Sequence, residues 1–488
     1  MFRKGLRKFT SYNPHILVLL IPQLLMKKSL LLLLSTFFFS QFSLAQEAEE
    51  PKRILFTNVN VFDGVSDSLS MNTNVLVEDN LIAAVGPSIT LPEGTEVIDG
   101  GGRTLMPGLI DSHTHLYATG GLFSSWTDMQ NVEWDQMPIA AAVNATDYLY
   151  DGYTTLRDVG GMGTTALQKM IDAGIVEGPR IYTSGAFISA TSGHGDFRFP
   201  QQRVYGGSSE DQVTQLNLSY VANGEDAVRD AARVNLSNGA HFLKLMVGGG
   251  ISSTLDPLWS LTYTQEEIEA AVEAAAGFDT YVTVHAYDDP SVNRSLDAGV
   301  KVIEHGHLIS EETVQRIVDE GVFWSLNTAA MDPSLLTQGI FAVPPARPKL
   351  ESFLEGSANV ANLIKQYRPK IVLNTDTVFS LPAAARSHRD FEKHFHASLL
   401  GNHPFLVAAT STGGELAQLT ARRNPYPNKL GIIEKDAYAD ILIVDGNPLE
   451  DLSVLGADPK WFDAEPRDQG IETIRLIMKG GTIYKNTL

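Results

Sequence analysis

Four short apolar runs in this chain close on residues that bind metals or move protons. The first ends Asp111-Ser112-His113-Thr114-His115. On a strand, residues i and i+2 point the same way, so His113 and His115 can grip one cation from a common side. YVTVHA brings His285, VKVIEHG brings His305 and KIVLNTD brings Asp376, each at the carboxyl end of its run. His307 shares the face of His305 by the same alternation and is its rival as the ligand of that run. A second HxH, His394 and His396, lies in RDFEKHFHASLL, which reads as helix. There i and i+2 do not face each other, so that pair is expected at the surface or rim.

Lys244 carries more information. In HFLKLMV, Leu243, Leu245 and Val247 share one face, and Phe242, Lys244 and Met246 the other. A parallel strand is covered on both sides, and lysine is almost never buried without something to neutralise it. One answer is a salt bridge to a neighbouring acid. The other is chemical: burial favours the free amine, which can add carbon dioxide. The resulting carbamate has two oxygens and a negative charge, which suit a bridge between two divalent metals.

These groups need a scaffold that delivers strand ends to one place. Eight apolar runs, 104–111, 153–159, 180–186, 241–247, 281–286, 300–306, 321–327 and 370–376, alternate with helix-like segments over about 300 residues. One such segment, TQEEIEAAVEAAAGF, opens on Thr264 with Glu267 three residues on, the pattern of a capping box. The alternation predicts an α/β protein with a (β/α)8 barrel of TIM type, whose functional residues sit at the carboxyl ends of the strands. A doubly wound open sheet is the alternative, but no GxGxxG follows the first run. Short alternating strands at 53–104 and again at 439–486 are too small to bury a core separately. They are expected to join as one small β-sandwich domain. The predicted divisions are 46–104 and 433–488 for that domain and 105–432 for the barrel. Two long connections, 195–225 and 331–357, are expected to be functional.

Composition narrows the chemistry. The 488 residues contain no cysteine, so disulfides, thiolate metal sites and a cysteine nucleophile are excluded. Acids outnumber Lys and Arg by 57 to 37, which argues against a nucleic-acid partner. From Met26, two lysines, an apolar stretch to Phe39 and Ser43-Leu44-Ala45 have the three-part layout of a secretory signal. Residues 1–45 are expected to be removed, residues 1–25 reading as a start assigned too early or an uncleaved anchor. Without them 31 basic face 57 acidic residues, a net of −26. The expected mature protein is exported, periplasmic or secreted, without a membrane span, acts on a small molecule, and has an open oligomeric state.

MPGLIDSHTHL, LKLMVGGG, TVHAYDDP, VIEHGHL and LNTD, in that order, resemble the metal-dependent amidohydrolase superfamily. The resemblance covers nearly the whole chain beyond the leader, including ADILIVDGNPLEDL near the end. The nearest branch it resembles holds imidazolonepropionase-like proteins and the Xaa-Pro dipeptidase, or prolidase-like, group. YTTLRDVGG, the GPR before the third run, TSGHGD and GGGISSTLDP look like the dipeptidase group. The resemblance implies two divalent ions, zinc by ligand type and family habit. His113, His115 and Asp376 would bind the more buried ion, His285 and His305 the more exposed, and carbamylated Lys244 would bridge them. A bridging hydroxide would attack an amide carbonyl while Asp376 passes its proton to the leaving nitrogen. His194 of TSGHGD and Tyr287 would meet a substrate carboxylate. Trp259 is a candidate pocket wall, and Arg203, Arg347 and Arg389 are further candidate carboxylate partners. Asn374, where many relatives have glycine, is a departure that could reshape the pocket near Asp376. The expected activity is cleavage of an Xaa-Pro-type dipeptide or an N-acyl amino acid. Hydrolysis of a cyclic amide, amidine or lactone is the alternative, and a non-catalytic barrel the third reading.

Overall fold

The computed structural model describes residues 51–118, 132–133, 135–199, 202–203 and 212–488. The expected leader lies outside these residues. The chain divides into two units, residues 1–51 and 52–488, and the elements named here belong to the second. No helix among the described residues is long and apolar enough to cross a membrane.

Five strands come from the first end: β1 (Arg53–Val61), β2 (Ser70–Glu78), β3 (Leu81–Gly86), β4 (Glu96–Asp99) and β5 (Thr104–Pro107). Next come β6 (Leu109–Thr114), β7 (Tyr153–Asp158), β8 (Arg180–Thr183), β9 (Phe187–Ser189), β10 (Ser219–Val221), β11 (Leu243–Met246), β12 (Val282–Asp288), β13 (Val302–Leu308), β14 (Phe323–Leu326) and β15 (Lys370–Leu373). The last three are β16 (Ile441–Val444), β17 (Ile474–Lys479) and β18 (Thr482–Asn486). Both ends of the second unit enter one mixed eight-stranded sheet, ordered β18-β17-β16-β5-β1-β2-β3 with β4 beside β1.

The other two sheets are wholly parallel: β6-β7-β8, and β10-β9-β11-β12-β13-β14-β15. Hydrogen bonds also run between the two sheets, from the segment after β15 to β6 and from the segment before β11 to β8. The Asp376 amide donates to the His113 carbonyl at 3.1 Å, and the His241 amide to the Thr183 carbonyl at 2.8 Å. This is an α/β fold with parallel sheets consistent with a TIM-type barrel.

The run expected over 104–111 splits at Gly108. Its first half, β5, pairs with β1 and β16, and its second half, β6, with β7. A side chain at Gly108 would meet Thr154 Oγ1 at 2.1 Å, so only glycine lets the chain pass from one sheet to the next. β10 falls inside the expected connection 195–225, and β9 lies just beyond the run expected over 180–186. The expected capping box is present: the Glu267 amide donates to Thr264 Oγ1 at 3.3 Å and the Thr264 amide to Glu267 Oε2 at 2.8 Å.

Alternation on β11 follows the expected pattern. Leu243, Leu245 and Val247 pack with Ala271, Ala274 and Ala275 of the helix Gln265–Gly277. Phe242 turns the other way, stacks on Tyr281 at 5.3 Å and joins Ile110, Val302 and Val372 in a separate apolar cluster. Lys244 shares that side and is buried.

Candidate metal centre and substrate cavity

Above that apolar cluster lies a layer of buried charge. Glu304 is fully buried, receiving Arg157 Nη1 at 2.7 Å and the Thr283 hydroxyl at 2.5 Å on one oxygen. Its other oxygen lies 2.7 Å from His113 Nδ1. Arg157 also donates to the Ser112 carbonyl at 2.8 Å and sits 4.3 Å over the Phe242 ring. Burial alone would raise the Glu304 carboxyl, but Arg157, His113 and Lys244 outweigh it and hold it well below the usual range.

Four imidazoles and one carboxylate converge on this layer. His113 Nε2 and His115 Nε2 are 3.3 Å apart, and each lies 3.6 Å from Asp376 Oδ1. Ligand atoms of His113, His305 and Asp376 lie within 4.8 Å of one another. The His305 ring centroid is 5.1 Å from that of His113 and 4.5 Å from that of His285. Each histidine fastens its remote nitrogen to a fixed acceptor: His115 Nδ1 to the Gly160 carbonyl at 2.9 Å, His305 Nδ1 to Asn327 Oδ1 at 3.0 Å, and His285 Nε2 to the Gly249 carbonyl at 3.1 Å. The nitrogen left on each ring is then an acceptor, the state in which imidazole binds a metal.

The spacing fits an ion. Two nitrogens held about 2.0–2.1 Å from a tetrahedral zinc-sized cation stand about 3.3–3.4 Å apart. Burial first, and then neighbouring cations including Lys244, hold all four imidazoles below their ordinary basicity, His113 down to about 4. Burial pushes the Asp376 carboxyl up to about 7, against the pull of Lys244. Burial pushes the Lys244 amine down to about 8, against Glu304. Lys244 is only 1% exposed, and among the described residues no carboxylate lies within ion-pair distance of it. The salt-bridge account of this lysine is therefore not met.

Backbone geometry explains how one strand supplies adjacent groups. His305 has φ of 76° and Gly306 φ of 63°, which breaks the alternation of β13. Glu304 and His305 thus both serve the centre, and His307 turns away. It bonds the Asn327 carbonyl through Nε2 at 3.0 Å and packs on Phe353 at 4.9 Å. The Trp324 indole secures the bend, donating to the His305 carbonyl at 2.6 Å. β12 and β13 each run three residues past His285 and His305, whereas Asp376 lies three residues beyond β15.

A cavity of about 460 Å³ opens on the centre, lined by all six expected ligands and by His194 and Tyr287. His194 stacks on His285 at 4.1 Å and is held by Ser253 Oγ at 3.0 Å and Asp256 Oδ2 at 3.1 Å. Tyr287 stacks on His305 at 5.0 Å. Asn374 lies beneath, its amide nitrogen 3.1 Å from His113 Nδ1 and 3.2 Å from the Ser325 carbonyl.

Other expectations are overturned. Trp259 is 77% exposed and lies outside the cavity. None of the three candidate arginines lines it. Arg389 is buried against Asp147 and Asp151, Arg347 pairs with Glu351 at 3.0 Å, and Arg203 donates to the Arg198 carbonyl. His396 is not at the surface but fully buried beside Phe405, whose helix Asn402–Ala408 covers it; His394 is half-buried. Glu304, Arg157 and Asn327 were not singled out in the sequence. The one available signal for Glu304 was an acid next to a candidate ligand in an otherwise apolar run.

An amidohydrolase family model matches residues 104–482. Ochratoxinase of Aspergillus niger is 26% identical over 429 residues, covering 85% of this chain and 83% of that protein. A crystal structure of a prolidase complexed with N-methylphosphonate-L-proline superposes with a TM-score of 0.76 at 27% identity, covering 89% of this chain and all of that one. A Xaa-Pro dipeptidase with methionine bound in its active site gives 0.72 at 26% identity, with the same coverage.

Proposed function

Because this chain belongs to the amidohydrolase family and is a hydrolase acting on C–N amide bonds, we propose that it cleaves a dipeptide of Xaa-Pro type or an N-acyl amino acid. The observation that carries this reading is the convergence of four tautomer-fixed histidines and Asp376 near a buried lysine that has no carboxylate within ion-pair distance among the described residues. The prolidase and dipeptidase likenesses support the dipeptide, and the ochratoxinase likeness supports an amide hydrolase.

His113, His115 and Asp376 would hold a more buried divalent ion, His285 and His305 a more exposed one, both zinc by ligand type. Such ions, when bound, supply an acidified water and a Lewis acid for the amide carbonyl. Lys244 would add oxygen donors to these ions as a carbamate: its neutral amine would bond to the carbon of carbon dioxide and lose a proton, leaving an N-linked carboxylate. Asp376 takes the proton of the attacking water and returns it to the leaving nitrogen, since an amine anion is a poor leaving group. His194 and Tyr287 receive the substrate carboxylate at the rim of the cavity. With no arginine among the described lining residues, that anion is met by the imidazole, the hydroxyl and the residual charge of the centre.

This reading takes the two parallel sheets as one closed (β/α)8 barrel of residues 105–432, supported by the hydrogen bonds between the two sheets. The β domain of residues 46–104 and 433–488 is supported by the shared eight-stranded sheet. The leader pattern of residues 26–45 supports an exported enzyme. The deciding experiment loads the enzyme with zinc and screens a dipeptide and N-acyl amino acid library for the amino acid released. Release of proline or another carboxyl-terminal residue supports the proposal. No release from any member, with turnover of cyclic amides or lactones, would replace it.

A further inference from the structure

The far wall of the cavity comes from outside the parallel sheets and is built of rings. Trp461, on the segment between β16 and β17, packs beside Leu258, Tyr287, Leu350 and Phe353. Rings in near-parallel planes surround it: His388 at 4.6 Å and 21°, Phe391 at 5.0 Å and 20°, Phe462 at 4.3 Å and 17°. His388 and Phe391 lie three residues apart on the helix Pro382–Leu400, a spacing that puts both rings on one helix face.

His388, Trp461 and Phe462 all line the cavity, and Phe462 remains 45% exposed. Burial and then Arg389 push the His388 imidazole down to about 3, which favours its neutral form. None of these residues touches the metal-binding groups in the ways described above, so the catalytic centre does not account for them. A large aromatic left half-exposed at the rim of a deep cavity is a feature of binding sites.

We infer that Phe462, backed by Trp461 and the His388–Phe391 pair, is a stacking wall that selects substrates carrying a planar aromatic group. This rests on the amide-hydrolase reading above and names its substrate class. The wall offers an aliphatic ring the same buried area but no stacking. Stacked rings gain on the order of a three- to tenfold preference beyond area alone. The ring can enter from the acyl side, as in an N-aroyl amino acid, or as an aromatic side chain on the amino-acid side.

The test uses size-matched pairs with zinc-loaded enzyme. N-benzoyl is compared with N-cyclohexanecarbonyl on one amino acid, and phenylalanine with cyclohexylalanine in one dipeptide position. The wild type should favour the aromatic member of at least one pair by about three- to tenfold in kcat/KM. In Phe462→Leu that ratio should collapse towards one. A wild-type ratio near one in both pairs, or a ratio unchanged in Phe462→Leu, would overturn the inference. Calorimetric binding of benzoate against cyclohexanecarboxylate reads the wall without turnover. If no amide is cleaved the functional reading fails, while a benzoate preference lost in Phe462→Leu upholds the wall and its absence overturns it.

Discussion

Glu304 Oε2 stands 2.7 Å from His113 Nδ1, while its other oxygen is tied to Arg157 Nη1 at 2.7 Å. The arrangement fixes which nitrogen of His113 carries the proton and which faces Asp376. It also places a permanent cation behind the carboxylate, so Glu304 stays ionised beneath a centre that gathers positive charge. The His113 donor is thus set by a layer buried below the cavity.

Glu304→Gln should therefore weaken metal binding more than catalysis. The amide retains the shape but loses the charge that orients and polarises His113, a loss worth roughly 10- to 100-fold in metal affinity. Zinc titration against a competing chelator reads the affinity, and kcat at saturating zinc should recover most of the wild-type value. Unchanged affinity with a lowered kcat would assign Glu304 a different role.

The proposed carbamate makes Lys244→Ala the test of the two-metal reading. Metal content should fall below two ions per chain and hydrolysis by at least about 100-fold. Native mass spectrometry of the wild type should show the added mass of one carbon dioxide, lost on acidification and regained with bicarbonate. A Lys244→Ala variant holding two ions at full activity would remove the carbamate from the mechanism.

Much of this centre was legible because period-2 alternation puts His113, Lys244 and His285 on strand faces that turn to one side, and Asp376 follows the last parallel strand by three residues. Glu304 was not, since strict alternation puts it opposite His305, and the positive φ that unites them is a tertiary outcome secured by Trp324. Trp461 and Phe462 lie in a stretch with no periodicity, and their arrival at the cavity depends on how the segment after β16 packs. His396 was misplaced because helix spacing tests whether two histidines share a metal, not whether a neighbouring helix covers them. Arg389 was misplaced for a similar reason: charge alone does not reveal the buried aspartates that claim it.

Those aspartates make a pH prediction. Burial alone would raise the Asp151 carboxyl, but Arg389 at 2.6 Å and Arg467 at 2.9 Å outweigh it and hold it below the usual range. A carboxyl with a lowered folded-state pKa binds more protons when unfolded, so its stabilisation is present above an unfolded value of about 3.9 and is lost as pH falls below it. Asp151→Asn should lower stability at pH 7 by about 3–5 kcal/mol, because it leaves buried guanidinium groups uncompensated. It should also flatten the decline of Tm below about pH 4. Equal acid slopes in the two proteins would refute the assignment.

Lys349 ties the second long connection to the loop that holds His194. Its Nζ donates to the carbonyls of Gly250, Ser253 and Asp256 at 2.8, 2.8 and 2.6 Å, closing the loop after β11 from the helix Ala346–Gly356. That loop carries Asp256 and Ser253, which hold His194 against His285. Lys349→Met keeps the apolar stem and removes all three bonds, so the loop should loosen while the metal-binding groups stay in place. If His194 receives the substrate carboxylate, KM should rise by roughly three- to tenfold with a smaller change in kcat, the signature of lost ground-state binding. His194→Gln should raise KM similarly, and the double variant should cost little more than either single change, because both act through one contact. Additive losses would show that Lys349 affects binding independently of His194, and a lowered Tm with unchanged KM would show that it acts on stability alone.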